Sequence, residues 1–123
     1  MTPIPPSSAM PETDLARIDL WIEQENEKIP PHARDEVRIE VDVDERSVTI
    51  LECRPPWDPE RIGPRWTRSP VARLRYMRSR RAWTLYWPDR NSKFHVYELI
   101  QPTADIGALL DEIDRDPTSI FWG

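Results

Sequence analysis

The hydrophobic positions open with a helical period. Leu15, Ile18, Ile22 and Ile29 fall at i, i+3, i+7 and i+14, and Trp21 widens the stripe, which predicts a helix from about Thr13 to Lys28. Thr13 or Asp14 is placed to cap its start, and Pro30-Pro31 ends it because neither proline donates the next backbone bond. The period then falls to two. Val37, Ile39, Val41 and Val43 alternate with Arg38, Glu40 and Asp42, the signature of a half-buried strand. Asp44 to Ser47 is a polar turn, and Val48 to Cys53 returns as a second strand whose phase is blurred by the adjacent large residues Ile50 and Leu51.

The most sharply patterned stretch is 71–98. A two-residue turn at Ser79-Arg80 pairs Leu74 with Leu85 and Tyr76 with Trp83; a four-residue loop at Asp89 to Ser92 pairs Trp87 with Phe94 and Leu85 with Val96. Both registers gather Leu74, Tyr76, Trp83, Leu85, Trp87, Phe94 and Val96 on one face, and a slip of one residue would invert every side chain. Asn91 suits a left-handed position in the second loop. After Pro102, Ile106, Leu109, Leu110 and Ile113 make a second helical stripe, with Thr103 as the expected N-cap and Asp105 in the first turn. The order is helix, five strands, helix. Short connections force antiparallel neighbours, so we expect an α+β fold: a five-stranded antiparallel meander with an N-terminal and a C-terminal helix packed on one face.

Two segments stand outside this frame. Residues 1–11 hold four prolines and no period, which predicts a disordered Pro/Ser-rich tail ahead of a single domain at 12–123. Residues 54–70 form a long connection with five prolines and two tryptophans. Connections of that length inside a compact domain are often functional, while Trp57 and Trp66 pinning it to the body is the structural alternative.

Composition adds constraints. With 38% hydrophobic and 32% charged residues, the core is thin and leans on six Trp, three Tyr and two Phe. A lone Cys53 excludes an intrachain disulfide. Together with the lack of a leader pattern and of any apolar run near ~20 residues, this leads us to expect a cytoplasmic protein without membrane contact. The net charge of −5 conceals an uneven distribution: residues 54–93 hold eleven Arg/Lys against three Asp/Glu, and the remainder six against nineteen.

The assigned register leaves a polar face opposite the apolar one. Arg73, Tyr86 and His95 form one cross-strand row, and Arg75, Thr84 and Tyr97 the next. Arginine pairs with phosphate or carboxylate and tyrosine stacks on planar groups, so this face suits an anionic ligand. The alternative is a solvated face whose arginines pair with Glu40, Glu52 or Asp42. Arg78, Arg80 and Arg81 with Arg90 and Lys93 form a candidate nucleic-acid footprint, against which stands a sequence pI near 5.1. Trp57, Trp66, Phe121 and Trp122 are candidate docking residues for a partner or a second copy, although an apolar tail more commonly lies on its own domain. Two histidines and one cysteine give no metal spacing, three glycines give no phosphate-cradling loop, and no cofactor is expected. The carboxylates show no pairing that points to acid–base work, so enzymatic activity is not supported.

Arg73-Leu74-Arg75-Tyr76, Trp83 to Asn91 (W-T-L-Y-W-P-D-R-N), and Asp114-Arg115-Asp116-Pro117 with Phe121-Trp122-Gly123 resemble a family of short bacterial proteins known only as a domain of unknown function. Glu52-x-Arg54-Pro55-Pro56-Trp57 fits the same pattern, and the resemblance spans about residues 35–123. It implies a stand-alone small domain, carries over no catalytic residue, and suggests that Arg73, Arg75, Glu52 and Arg54 share one feature. Three readings follow, in order: a non-enzymatic binding or regulatory module taking an anionic ligand or nucleic acid; a protein–protein adaptor or homodimer; and a small enzyme using His95, Tyr86 and Arg73.

Overall fold

The computed structural model describes residues 10–123. Residues 1–9, on which most of the expected tail falls, lie outside the described residues, but the last two positions of that tail are built into the fold. Met10 is buried in the core and Pro11 is the N-cap of helix α1 (Glu12–Lys28). After a 3-10 turn at Pro31–Ala33 come β1 (Arg38–Val43), β2 (Ser47–Arg54), a short helix α2 (Pro59–Ile62), β3 (Thr67–Met77), β4 (Ala82–Pro88), β5 (Phe94–Val96) and α3 (Ile106–Arg115). The strands form one antiparallel sheet in the order β1-β2-β3-β4-β5. This is the expected α+β meander with a helix at either end.

One hydrophobic cluster joins the helices to a single sheet face. Leu15, Ile18 and Trp21 of α1 and Ile106, Leu109, Leu110 and Ile113 of α3 meet Val48, Ile50, Leu74, Tyr76, Trp83 and Leu85. Fully burying a side chain of this size contributes roughly 1.5–3 kcal/mol each, so the cluster dominates stability. Polar ends of the aromatic residues are satisfied within it. Trp83 Nε1 donates to Asp14 at 2.8 Å, Trp21 Nε1 to Asp114 at 3.1 Å and the Tyr97 hydroxyl to Glu112 at 2.7 Å. Asp14 therefore receives an indole rather than capping α1. In α3 the cap is Asp105, which accepts from the Gly107 N–H, while Thr103 takes the Asp105 N–H and bridges to Trp83.

The β3–β4 register is as expected: Leu74 faces Leu85 and Tyr76 faces Trp83. The strands stop at Met77 and Ala82, so the loop has four residues, with Arg81 in the left-handed region. The β4–β5 register differs by one. Tyr86 faces Val96, Trp87 faces His95 and Pro88 faces Phe94. Turn chemistry decides this. Asp89 and Lys93 close a three-residue loop in which Ser92, not Asn91, takes the left-handed conformation, and the Asp89 carboxylate accepts from the Asn91 and Lys93 N–H groups. Four fixed hydrogen bonds outweigh the hydrophobic preference of a three-residue strand. The slip sends Phe94 and Val96 to the outer face and turns His95 and Tyr97 toward the helices.

Strand β3 begins earlier than the sequence pattern implies, because Thr67 to Pro70 pair with Arg54 to Leu51. Pro70 is tolerated there because the register shifts beside it; Val71 is the extra residue of a bulge and joins Ala72 in the core. At the sheet's first edge, the Asn26 side chain of α1 both donates to the Ile39 carbonyl (2.9 Å) and accepts the Ile39 N–H (2.8 Å). No helix among the described residues is long and apolar enough to cross a membrane.

Candidate functional site

Strand alternation divides the outer face into two ends with different electrostatics. Near the β2–β3 connection, Arg38 pairs with Glu40 at 2.6 Å, and Arg68 pairs with Asp42 at 2.7 Å and Glu40 at 3.7 Å. The Arg38 guanidinium also sits 4.1 Å from the centre of the Trp66 ring, which pins the connection to the sheet. Beneath this network lies Cys53, whose thiol is pushed up by burial and then by Glu40, the opposite of an activated nucleophile.

At the other end the Asp44–Ser47 turn and the Arg78–Arg81 turn rise side by side, joined by the Tyr76 N–H donating to the Arg46 carbonyl. Between them lie two adjoining open clefts of about 540 and 750 Å³. Glu45, Arg46, Arg75 and Tyr86 line both; Asp44, Ser47, Arg73 and Phe94 complete the first, and Tyr76, Met77, Arg78 and Ser79 the second. Arg73 is braced by its Nε donating to Thr49 Oγ1 at 2.9 Å and by the Phe94 ring, 4.0 Å from the guanidinium carbon. Among the described residues, the guanidinium groups of Arg46, Arg75, Arg78, Arg80 and Arg81 have no hydrogen-bond or ion-pair partner. Glu40 and Asp42 are taken by Arg38 and Arg68, and Glu52 by Arg54 at 2.7 Å.

Four of the expected ligand-face residues thus fall on the outer face, Arg73, Arg75, Thr84 and Tyr86, but Thr84 is buried and lines neither cleft. The β5 slip removes the other two. His95 packs against Trp87 at 4.7 Å and bonds Asp89 at 2.8 Å; this hydrogen bond, then the Lys93 and Asn91 N–H groups, hold the Asp89 carboxyl below its usual range. Tyr97 is buried, and desolvation with Glu112 alongside pushes its hydroxyl up to about 12. The trio His95, Tyr86 and Arg73 is therefore split across the sheet. Glu52 and Arg54 also leave the group. They share the β2 phase of Val48 and Ile50 and line a groove on the helix side with Glu25, Lys28, Asp114 and Trp122.

The basic footprint divides as well. Arg78, Arg80 and Arg81 sit at one end of β4, and Arg90 and Lys93 sit beyond the other, seven strand residues or roughly 20 Å away. Of the expected docking residues, Phe121 is buried against Tyr97, and Trp122 donates to the Ile113 carbonyl and packs near Trp21. Asp116, itself left-handed, holds this tail by accepting the Phe121 and Trp122 N–H groups. Trp66 is half-buried over Arg38, while Trp57 is 79% exposed. The 54–70 connection lines neither outer cleft.

A carboxylate pair that sequence reading missed forms where α1 meets α3. Lys28 Nζ lies 2.8 Å from Glu25 and 3.6 Å from Asp114, and burial followed by the Asp114 carboxyl raises Glu25 to about 7. No spacing rule joins residues so far apart in the chain; only the helix packing does. Among the described residues no group of three His, Cys, Asp or Glu side chains is placed to hold a metal ion.

The chain belongs to the family described as a domain of unknown function, DUF3024, whose family model matches residues 6–123. The match extends the resemblance seen from residue 35 onward to nearly the whole chain. No curated protein and no solved structure matches it.

Proposed function

We propose that this family member is a binding module that takes an anionic ligand at the upper end of the outer sheet face, between the 44–47 and 78–81 turns. The observation that carries this reading is Arg75: exposed, central to both clefts, and unpaired although Asp44 and Glu45 line the same space. Unpaired cations around an open concavity raise the local concentration of anions, and arginine binds phosphate or carboxylate in a bidentate fork. Titration with inorganic polyphosphate at low ionic strength tests it. Binding should weaken steeply with added salt and be lost in Arg75→Glu combined with Arg78→Glu. No binding at the lowest salt sinks the proposal.

A second reading has one supporting observation: Trp57 and Ile62, at 79% and 56% exposure, stand out on the 55–66 connection. A homodimer through this connection would associate with concentration in sedimentation, and Trp57→Ser would abolish it. A monomer at every concentration ends that reading.

A further inference from the structure

We infer that the ligand of the upper outer face is a single strand of nucleic acid, with phosphates against Arg46, Arg75 and Arg78 and a base packed against Tyr86 beside the Arg73–Phe94 pair. This rests on the anion-binding reading above and goes further by naming the ligand class.

Shape comes first. The two clefts share four lining residues and so form one open trough running from Phe94 to Ser79. Small-molecule sites enclose most of their ligand, whereas an open trough on a sheet suits a polymer that enters and leaves. The planar surfaces come next. The Arg73 guanidinium, packed on the Phe94 ring and held through its Nε by Thr49, is a fixed planar group in the wall of the first cleft. Tyr86, directly opposite Arg73 on β4, lies beside it and reaches both clefts. Cations beyond this pair lie along the trough on both turns rather than at one point, which matches a charge repeated along a backbone.

Asp44 and Glu45 separate this ligand from a plain polyanion. Their carboxylates oppose phosphate but accept hydrogen bonds from exocyclic amino groups of bases such as cytosine. A duplex fits poorly, because its bases are already stacked and cannot reach Tyr86 or Arg73.

The test is fluorescence anisotropy on the full chain at low salt with a labelled oligo-dC of about ten nucleotides. A duplex of equal length and inorganic polyphosphate serve as competitors. We expect oligo-dC to bind at least about tenfold more tightly than either competitor, and Tyr86→Ala to lower its affinity about tenfold or more, a loss well beyond any it causes for polyphosphate. Tyr86→Leu, which keeps bulk without a ring, repeats the loss should the alanine variant fold poorly, and Tyr86→Phe restores binding. Polyphosphate binding as tightly as oligo-dC, with Tyr86 variants altering neither, would overturn the inference and leave the anion-binding reading standing. Failure of both ligands to bind would overturn the two together.

Discussion

The upper outer trough and the α1–α3 junction are built from the same kinds of charged residue, yet they treat charge in opposite ways. At the junction Glu25, Lys28, Asp114 and the Trp21 indole are all joined, and further along α3 Glu112 is held by Arg115 and the Tyr97 hydroxyl. In the trough Arg46, Arg75 and Arg78 have none, although two carboxylates stand nearby. A buried or half-buried charge left without a partner costs several kcal/mol, so the junction is obliged to pair. An exposed arginine carries no such obligation and can stay free for a ligand at almost no cost to folding. Substitutions at the helix side should therefore cost stability without touching binding, and those in the trough the reverse.

The largest effect tests the helix side. Trp83→Ala removes a fully buried indole and leaves Asp14 without its donor, and should cost about 3–5 kcal/mol in urea denaturation. Next, Tyr97→Phe removes one of the two partners of the buried Glu112 carboxylate and should cost about 1–3 kcal/mol. It should also shift acid unfolding. Tyr97, then Arg115, hold Glu112 below its usual range, so its contribution is present above its unfolded pKa and lost as pH falls through the lower folded value. The variant should show a shallower loss in acid.

Glu25 works with the opposite sign. Its folded value of about 7 lies above the ordinary 4.5, so its contribution is full below 4.5 and is lost as pH rises to about 7. Glu25→Gln should flatten thermal stability across that window. A decline as steep as in the parent chain would mean that the carboxylate pair does not govern it. The smallest effect sharpens the contrast most: Arg75→Gln should change unfolding free energy by less than about 0.5 kcal/mol while weakening polyanion binding. A large destabilisation would show that Arg75 holds the fold rather than a ligand.

The parts of the fold legible in the sequence were those in which two signals agreed. The β3–β4 register followed from apolar phase and loop length together, and both long helices from stripe and proline stops. Where signals conflicted, hydrophobicity misled. Phe94 and Val96 read as core, but the Asp89 turn sets β5 one residue out of that phase, so Phe94 packs its ring against the Arg73 guanidinium. At the site, Arg73, Arg75 and Tyr86 were legible because alternation places them without knowledge of the tertiary fold. The contributions of Arg46, Asp44 and Glu45 were not, since they depend on two turns meeting across β2 and β3. Glu52 and Arg54 were placed with the wrong partners because phase inside β2 decides the face, and two adjacent large residues hid it. The Glu25–Asp114 pair had no local signature at all.

Asn26 has a consequence beyond anchoring α1. An edge strand exposes backbone groups that recruit further strands, and β1 is such an edge. By taking both the N–H and the carbonyl of Ile39, one side-chain amide occupies the first rung of any added ladder. It stands as a ready-made stop against edge-to-edge pairing at β1, so that this side of the sheet is closed by a residue that belongs to no strand.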